Sequence, residues 1–165
     1  MAMSSGLKKK IITAIPAGAL AIAMAMLGGG GDSLEGRVYT PYQDVVGVWT
    51  VCDGHTGPDI IKGKRYTDKE CDTLLEKDLA PAKKTVDSAV KVPIKETTRA
   101  ALYSFVYNCG ATAFRNSSLL RKLNAGDRAG ACADLRKWIY AGGKAWRGLM
   151  NRREVETEVC TWGGV

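Results

Sequence analysis

The stretch that decides the fold is EGRVYTPYQDVVGVWTVCDGHT, Glu35 to Thr56. From Val38 to His55 it is dense in Val, Tyr, Trp and Thr with glycines between, and reads as short strands joined by turns. Just before the strands, Asp32 to Arg37 reads as a short helix, with Asp32 or Ser33 as N-cap and Glu35 near its end. After them the hydrophobic period changes. Thr67-Asp68-Lys69-Glu70 is a capping box ahead of Leu74, Leu75 and Leu79, which share one helical face. Pro81 should kink or divide that helix. Pro93 suits the first turn of the next helix, whose apolar residues run through Ala100, Leu102, Phe105 and Val106. Leu119–Leu123, Ala129–Ile139 and Leu149–Val159 read as further helices, with Gly142-Gly143 breaking the chain between the last two. A β-rich part followed by helices predicts an α+β fold in two lobes, a small β-hairpin lobe and a larger helical one. The 165 residues suit one such domain.

Within this stretch Glu35, Asp44 and Thr50 stand in the order E-x8-D-x5-T. Cleaving a glycosidic bond near neutral pH needs two carboxyl groups in different states. One is protonated and donates to the leaving oxygen; the other is ionised and activates water or attacks the sugar carbon. A carboxyl at a helix end and another on the adjoining hairpin can flank a cleft, and a threonine hydroxyl can hold the water. The spacing alone is weak, because most Glu and Asp side chains are solvated surface groups. Its context carries the weight: Glu35-Gly36, Tyr42-Gln43-Asp44, Gly47-Val48-Trp49-Thr50-Val51 and Gly54-His55-Thr56.

Upstream, Lys8-Lys9-Lys10 precedes 17 residues without charge, Ile11 to Leu27. As one helix they would span ~26 Å, just short of a ~30 Å hydrocarbon core. Six are alanine, and Thr13, Pro16 and Gly18 weaken the segment further. Three readings stay open: a cleaved signal peptide, since Ala21-Ile22-Ala23 and Ala23-Met24-Ala25 fit the small-residue cleavage pattern; a permanent anchor; and an anchor that leaves the membrane intact. The lysines should stay cytoplasmic, which puts everything after Gly31 outside. Gly28 to Gly31 is a flexible joint.

The formal charge is +7, and from Asp32 onward 21 basic residues face 17 acidic ones. That excess suits an anionic partner such as cell wall, phospholipid or nucleic acid without choosing among them. The basic residues are scattered and no nucleic-acid motif occurs, so no nucleic-acid partner is expected. Five cysteines without C-x-x-C spacing and a single histidine argue against a zinc site, and no metal or other cofactor is expected. No serine sits in a nucleophile elbow, so His55 reads as structural. Trp49, Trp138 and Trp146 read as core or as sugar platforms. A tethered wall-binding module without catalysis is the competing function class; it would tolerate loss of Glu35.

Pieces from Glu35 to Cys160 resemble the phage-type lysozymes, a glycoside hydrolase family. Besides those above, they include Tyr66-Thr67, Lys77-Asp78-Leu79, Ser104-Phe105-Val106-Tyr107-Asn108, Ala113-Phe114-Arg115-Asn116-Ser117, Leu119 to Asp127, Trp138 to Gly143 and Arg152-Arg153-Glu154. The N-terminus is similar to that of the signal-anchor-release endolysins. The resemblance implies a lysozyme-like two-lobed fold and hydrolysis of the β-1,4 bond between N-acetylmuramic acid and N-acetylglucosamine in peptidoglycan. It implies Glu35 as general acid, Asp44 as the opposing carboxylate, Thr50 beside the attacking water, and an inverting course. Tyr107 and Ser117 fall at cleft-lining positions. It implies two units, a segment of residues 1–31 that touches the inner membrane through 11–27, and a catalytic domain of 32–165, first tethered and then released to the periplasm. A monomer is expected. Once freed, the segment should bury its apolar face against the body as a new helix. Cys52 on the hairpin should bond Cys71 on the helix packed near it, and Cys132 should bond Cys160, leaving Cys109 a buried free thiol. In the family pattern His55 sits near Asp78, so an ion pair raising its pKa is expected.

Overall fold

A computed structural model of the protein describes residues 3–164. Glu35–Thr56 forms a three-stranded antiparallel sheet: β1 (Val38–Gln43), β2 (Trp49–Cys52) and β3 (His55–Thr56). Tyr42 pairs with Thr50 and Gln43 with Trp49, but the register shifts between Val38 and Tyr42. Pro41 lies in that interval and has no N–H to give to the ladder. The Cys52 and Gly54 backbones, at φ 59° and 87°, turn β2 into β3.

The helical lobe holds α3 (Asp68–Ala89), α4 (Glu96–Cys109), α5 (Ala111–Arg115), α6 (Ser118–Asn124), α7 (Arg128–Asp134) and α8 (Arg147–Cys160). Thr67 and Glu70 exchange both capping-box bonds at the start of α3. In α4 every residue from Ala100 to Val106 is buried, as a helix surrounded on all sides must be, and it packs against α3 and α8. Both expected disulfides are present and Cys109 is free, though half-buried rather than buried.

The apolar segment does not form one spanning helix, which corrects the expectation of a continuous anchor. Among the described residues no helix is long and apolar enough to cross a membrane. Instead α1 (Ser5–Ala14) ends in a 3-10 turn over Ile15–Ala17, and α2 (Ala19–Leu27) begins after Gly18 at φ 96°. Pro16, in the 3-10 turn, and the left-handed Gly18 make the break. α2 buries Ala19, Ile22, Ala23, Met26 and Leu27, a one-faced helical stripe, against α4. Ile22, Met26 and Leu27 are fully buried, each stabilising by about 1.5–3 kcal/mol. The apolar face thus enters the core of the helical lobe as two helices.

Other expectations need correction. Residues 32–37 are turns and bends, not a helix; the N–H groups of Leu34 and Glu35 go to Met26 and Leu27 carbonyls, at 2.8 and 3.2 Å, so the segment caps α2 instead of starting a helix of its own. Pro81 lies inside an undivided α3, on its exposed side, where water can take the carbonyl that loses its partner. α4 starts at Glu96, beyond Pro93. α7 stops at Asp134, followed by a 3-10 turn, and Gly142-Gly143 turns a short hairpin, β4 (Tyr140–Ala141) and β5 (Lys144–Ala145).

Candidate active site

Glu35 sits where the N-terminal segment, the sheet and α8 meet. Its N–H is held by the Leu27 carbonyl at the end of α2. Its Oε1 accepts from Arg152 Nη1 at 2.7 Å, and its side chain is 27% exposed. A Cβ on Gly54 would lie 3.6 Å from Oε2, so the β2–β3 turn closes one side of the carboxyl. Glu35 and Arg152 line a cavity of about 680 Å³ together with Asn108, Leu149 and Asn151, and Ser4 and Leu7 of the N-terminal segment complete its wall.

Asp44 and Thr50 lie on the β1–β2 hairpin, outside that cavity's lining. Asp44 Oδ1 accepts the N–H groups of Val46 and Val48, both at 2.9 Å, so the carboxylate braces its own turn. The Val48 carbonyl accepts both the Asp44 N–H, at 2.9 Å, and Thr50 Oγ1, at 3.1 Å. Asp44 and Thr50 are therefore brought together through one carbonyl. Glu35 makes its contacts elsewhere, with Arg152 and α2.

Tyr107 is half-buried near the end of α4. Burial, then the nearby Asp78 and Glu35 carboxylates, push its phenol well above the usual range. Ser117 is buried, and its hydroxyl caps α6, donating to the Phe114 carbonyl and accepting the Leu120 N–H. Trp138 packs edge-on against Phe105, whereas Trp146 is half-exposed. His55 is buried with Nδ1 2.7 Å from Asp78 and Nε2 2.9 Å from Asp59. Burial opposes its protonation, but hydrogen bonds to Asp59 and Asp78 prevail and its pKa is raised.

Two clusters went unread in the sequence. Arg152 reaches Glu35, Glu156 and the Ser104 carbonyl, while Arg153 Nε lies 2.7 Å from Glu156 Oε1 in a fully buried pair. The signal was there: Arg152 shares an i, i+3, i+7 stripe with Val155 and Val159, and a charge on a core stripe demands a buried partner. The second is Arg37, its side chain 2% exposed, bound to Asp53 at 2.7 Å, Asp72 at 2.8 Å and Asp68 at 3.2 Å. It ties the segment after Glu35 to the Asp53-Gly54 turn. No local pattern marks it.

The Phage lysozyme family model matches residues 32–156. The SAR-endolysin of Enterobacteria phage PA-2 is 58% identical over 163 residues, covering 98% of this chain and 99% of that one. The SAR-endolysin of Enterobacteria phage P21 is 56% identical over 163 residues, with the same coverage of 98% and 99%. Among solved structures, the muramidase domain of SpmX from Asticaccaulis excentricus aligns with a TM-score of 0.70 and 26% identity, covering 96% of this chain and 97% of that one. An endolysin from Escherichia coli O157:H7 phage FAHEc1 aligns with a TM-score of 0.74 and 25% identity, over 99% and 95%.

Proposed function

The chain belongs to the phage lysozyme family, and from that premise we propose how its residues divide the work. It is an endolysin, a glycoside hydrolase acting on peptidoglycan. The competing reading, a wall-binding module without catalysis, finds no support among its relatives. In our reading Glu35 is the general acid that protonates the leaving glycosidic oxygen. Asp44 stands on the opposite wall and, with one oxygen occupied by backbone N–H groups, offers the other to the attacking water, which Thr50 helps to hold. Arg152 donates to Oε1 of Glu35 and fixes its direction, which leaves Oε2 to carry the proton given to the glycosidic oxygen. Tyr107 lies along the cleft, and Ser117 serves it by fixing the start of α6. The course is inverting, which asks for ~6.5–9.5 Å between the carboxyls so that a water fits.

The observation that carries this reading is a carboxyl paired with a buried arginine in the wall of the 680 Å³ cavity, at the position the family resemblance assigns to the acid. Turbidity clearance of chloroform-treated Gram-negative cells tests it. Glu35→Gln should slow clearance by at least about 100-fold with the fold intact; clearance at the wild-type rate ends the assignment.

We also propose that residues 1–31 and 32–165 are two functional units, and that 11–27 first lies in the inner membrane with the catalytic part in the periplasm. Supporting this are the lysine run, the marginal hydrophobicity, and relatives named SAR-endolysin. The arrangement described here is then the released one. While the segment is inserted, Glu35 stands within ~13 Å of extended chain from Gly31, pressed against lipid. Replacing Ala17, Gly18 and Ala19 together by Leu should strengthen insertion and keep cells unlysed. Lysis at the wild-type rate sinks control by release.

A further inference from the structure

α1 is tied to the Glu35 segment at its start and at its middle. At its start Ser4 Oγ donates to Asp32 Oδ2 at 2.8 Å. From the middle of the helix Lys10 Nζ donates to the Gly28 carbonyl and to Ser33 Oγ, each at 2.7 Å. Ser33 Oγ itself donates to that same carbonyl. Gly28 is the C-cap of α2, and a helix C-terminus, with its unpaired carbonyls and negative dipole end, is where a cation is favoured. The chain passes close: a Cβ on Gly29 would lie 3.1 Å from the ammonium. One charged group thus closes the loop that runs from α2 to the Leu34 and Glu35 amides. Lys8 and Lys9 do nothing similar. Lys8 lies over Trp162 at 5.8 Å, and Lys9 is exposed. Burial, then the Arg37 guanidinium, lower the Lys10 pKa, while Asp53, Asp32 and Asp72 oppose them.

We propose that Lys10 is a positioning residue for the general acid: its ammonium clamps residues 28–33 and so orients Glu35. The clamp also reports release. Lys10 and Ser33 stand at opposite ends of the 11–27 segment, so an inserted chain holds them on opposite faces of the bilayer and the contact forms only after the whole segment has left. The inference rests on the reading of Glu35 as acid and of 11–27 as a releasable anchor.

The test uses the full chain purified in released form, without membranes, so that it reads positioning apart from release. Lys10→Gln should lower kcat about tenfold, since small misplacements of a catalytic group are costly, with KM within about twofold of wild type. Lys10→Arg, which keeps charge and donors, should restore most of the loss. Ser33→Ala should act in the same direction, and the Lys10→Gln/Ser33→Ala double variant should fall no further than Lys10→Gln, because both break one clamp. Lys9→Gln, with the same change in charge, should match wild type. The clamp is overturned if Lys10→Gln keeps kcat within about twofold, if Lys9→Gln loses as much, or if the two single losses multiply. Should Lys10→Gln melt at the assay temperature, Ser33→Ala decides alone. An active Glu35→Gln, or lysis by the leucine-strengthened anchor, would instead count against the underlying reading.

Discussion

The Glu35 segment and the Asp44–Thr50 hairpin, the two parts proposed for the site, are held in opposite ways. Asp44 and Thr50 are braced by contacts inside one hairpin, all within four residues in sequence. Glu35 depends on the end of α2 and on Arg152, a partner 117 residues away. A locally closed hairpin forms wherever its own residues are free to turn. A residue fixed by the two ends of the chain takes its place only when both ends have docked. The difference makes the Glu35 wall the one that an event at the N-terminus can switch, and the hairpin the part that stays ready.

The strongest way to break this contrast is Arg152→Met. It removes the distal partner of Glu35 and leaves Glu156 with less compensation, so we expect stability to fall by about 3–5 kcal/mol. Denaturant unfolding measures the loss, and amide NMR shifts of Val46–Thr50 should stay unchanged. If those shifts move as far as those around Glu35, the two walls are not independent.

Next in size is the Cys52–Cys71 bridge, whose ends are 19 positions apart in sequence and which fastens the sheet to α3. A Cys52→Ser/Cys71→Ser pair should cost about 2–4 kcal/mol in thermal unfolding. A variant as stable as wild type would mean the sheet needs no tether.

Gly47→Ala probes the local wall alone. Gly47 has φ 83° and nothing within 4 Å of an added Cβ, so only backbone strain resists, about 1–2 kcal/mol. Hydrogen exchange should quicken in the hairpin and not around Glu35.

The finest test is His55, which has one near partner, Asp59, and one distant partner, Asp78. Its folded pKa is raised, so its contribution to stability is present below the unfolded value of 6.5 and lost as pH rises through the folded one. An NMR titration should show an upward shift that Asp59→Asn and Asp78→Asn each reduce but neither abolishes. A full shift surviving Asp78→Asn would assign the effect to the local carboxylate alone.

What the sequence determined by itself is what short spans of chain encode. The strands of Val38 to His55 and the Thr67–Glu70 capping box follow from side-chain period and turn chemistry, which act over a few residues. The three candidate catalytic residues were visible as a spaced set. The cysteine pairing was an expectation that the packing of the elements made good. Tertiary structure alone decided the rest. Residues 32–37 lost their helix to the carbonyls of α2, and Pro81 was tolerated because its side of α3 faces water. Ile11–Leu27 became two helices, since Pro16 and Gly18 break the ladder while the α2 stripe finds a core to fill. Arg37 and Arg152 found partners that no spacing announces. Local rules choose among conformations of one segment; which distant carboxylate neutralises a buried arginine depends on how the packed elements face each other, and that information is spread over the whole chain.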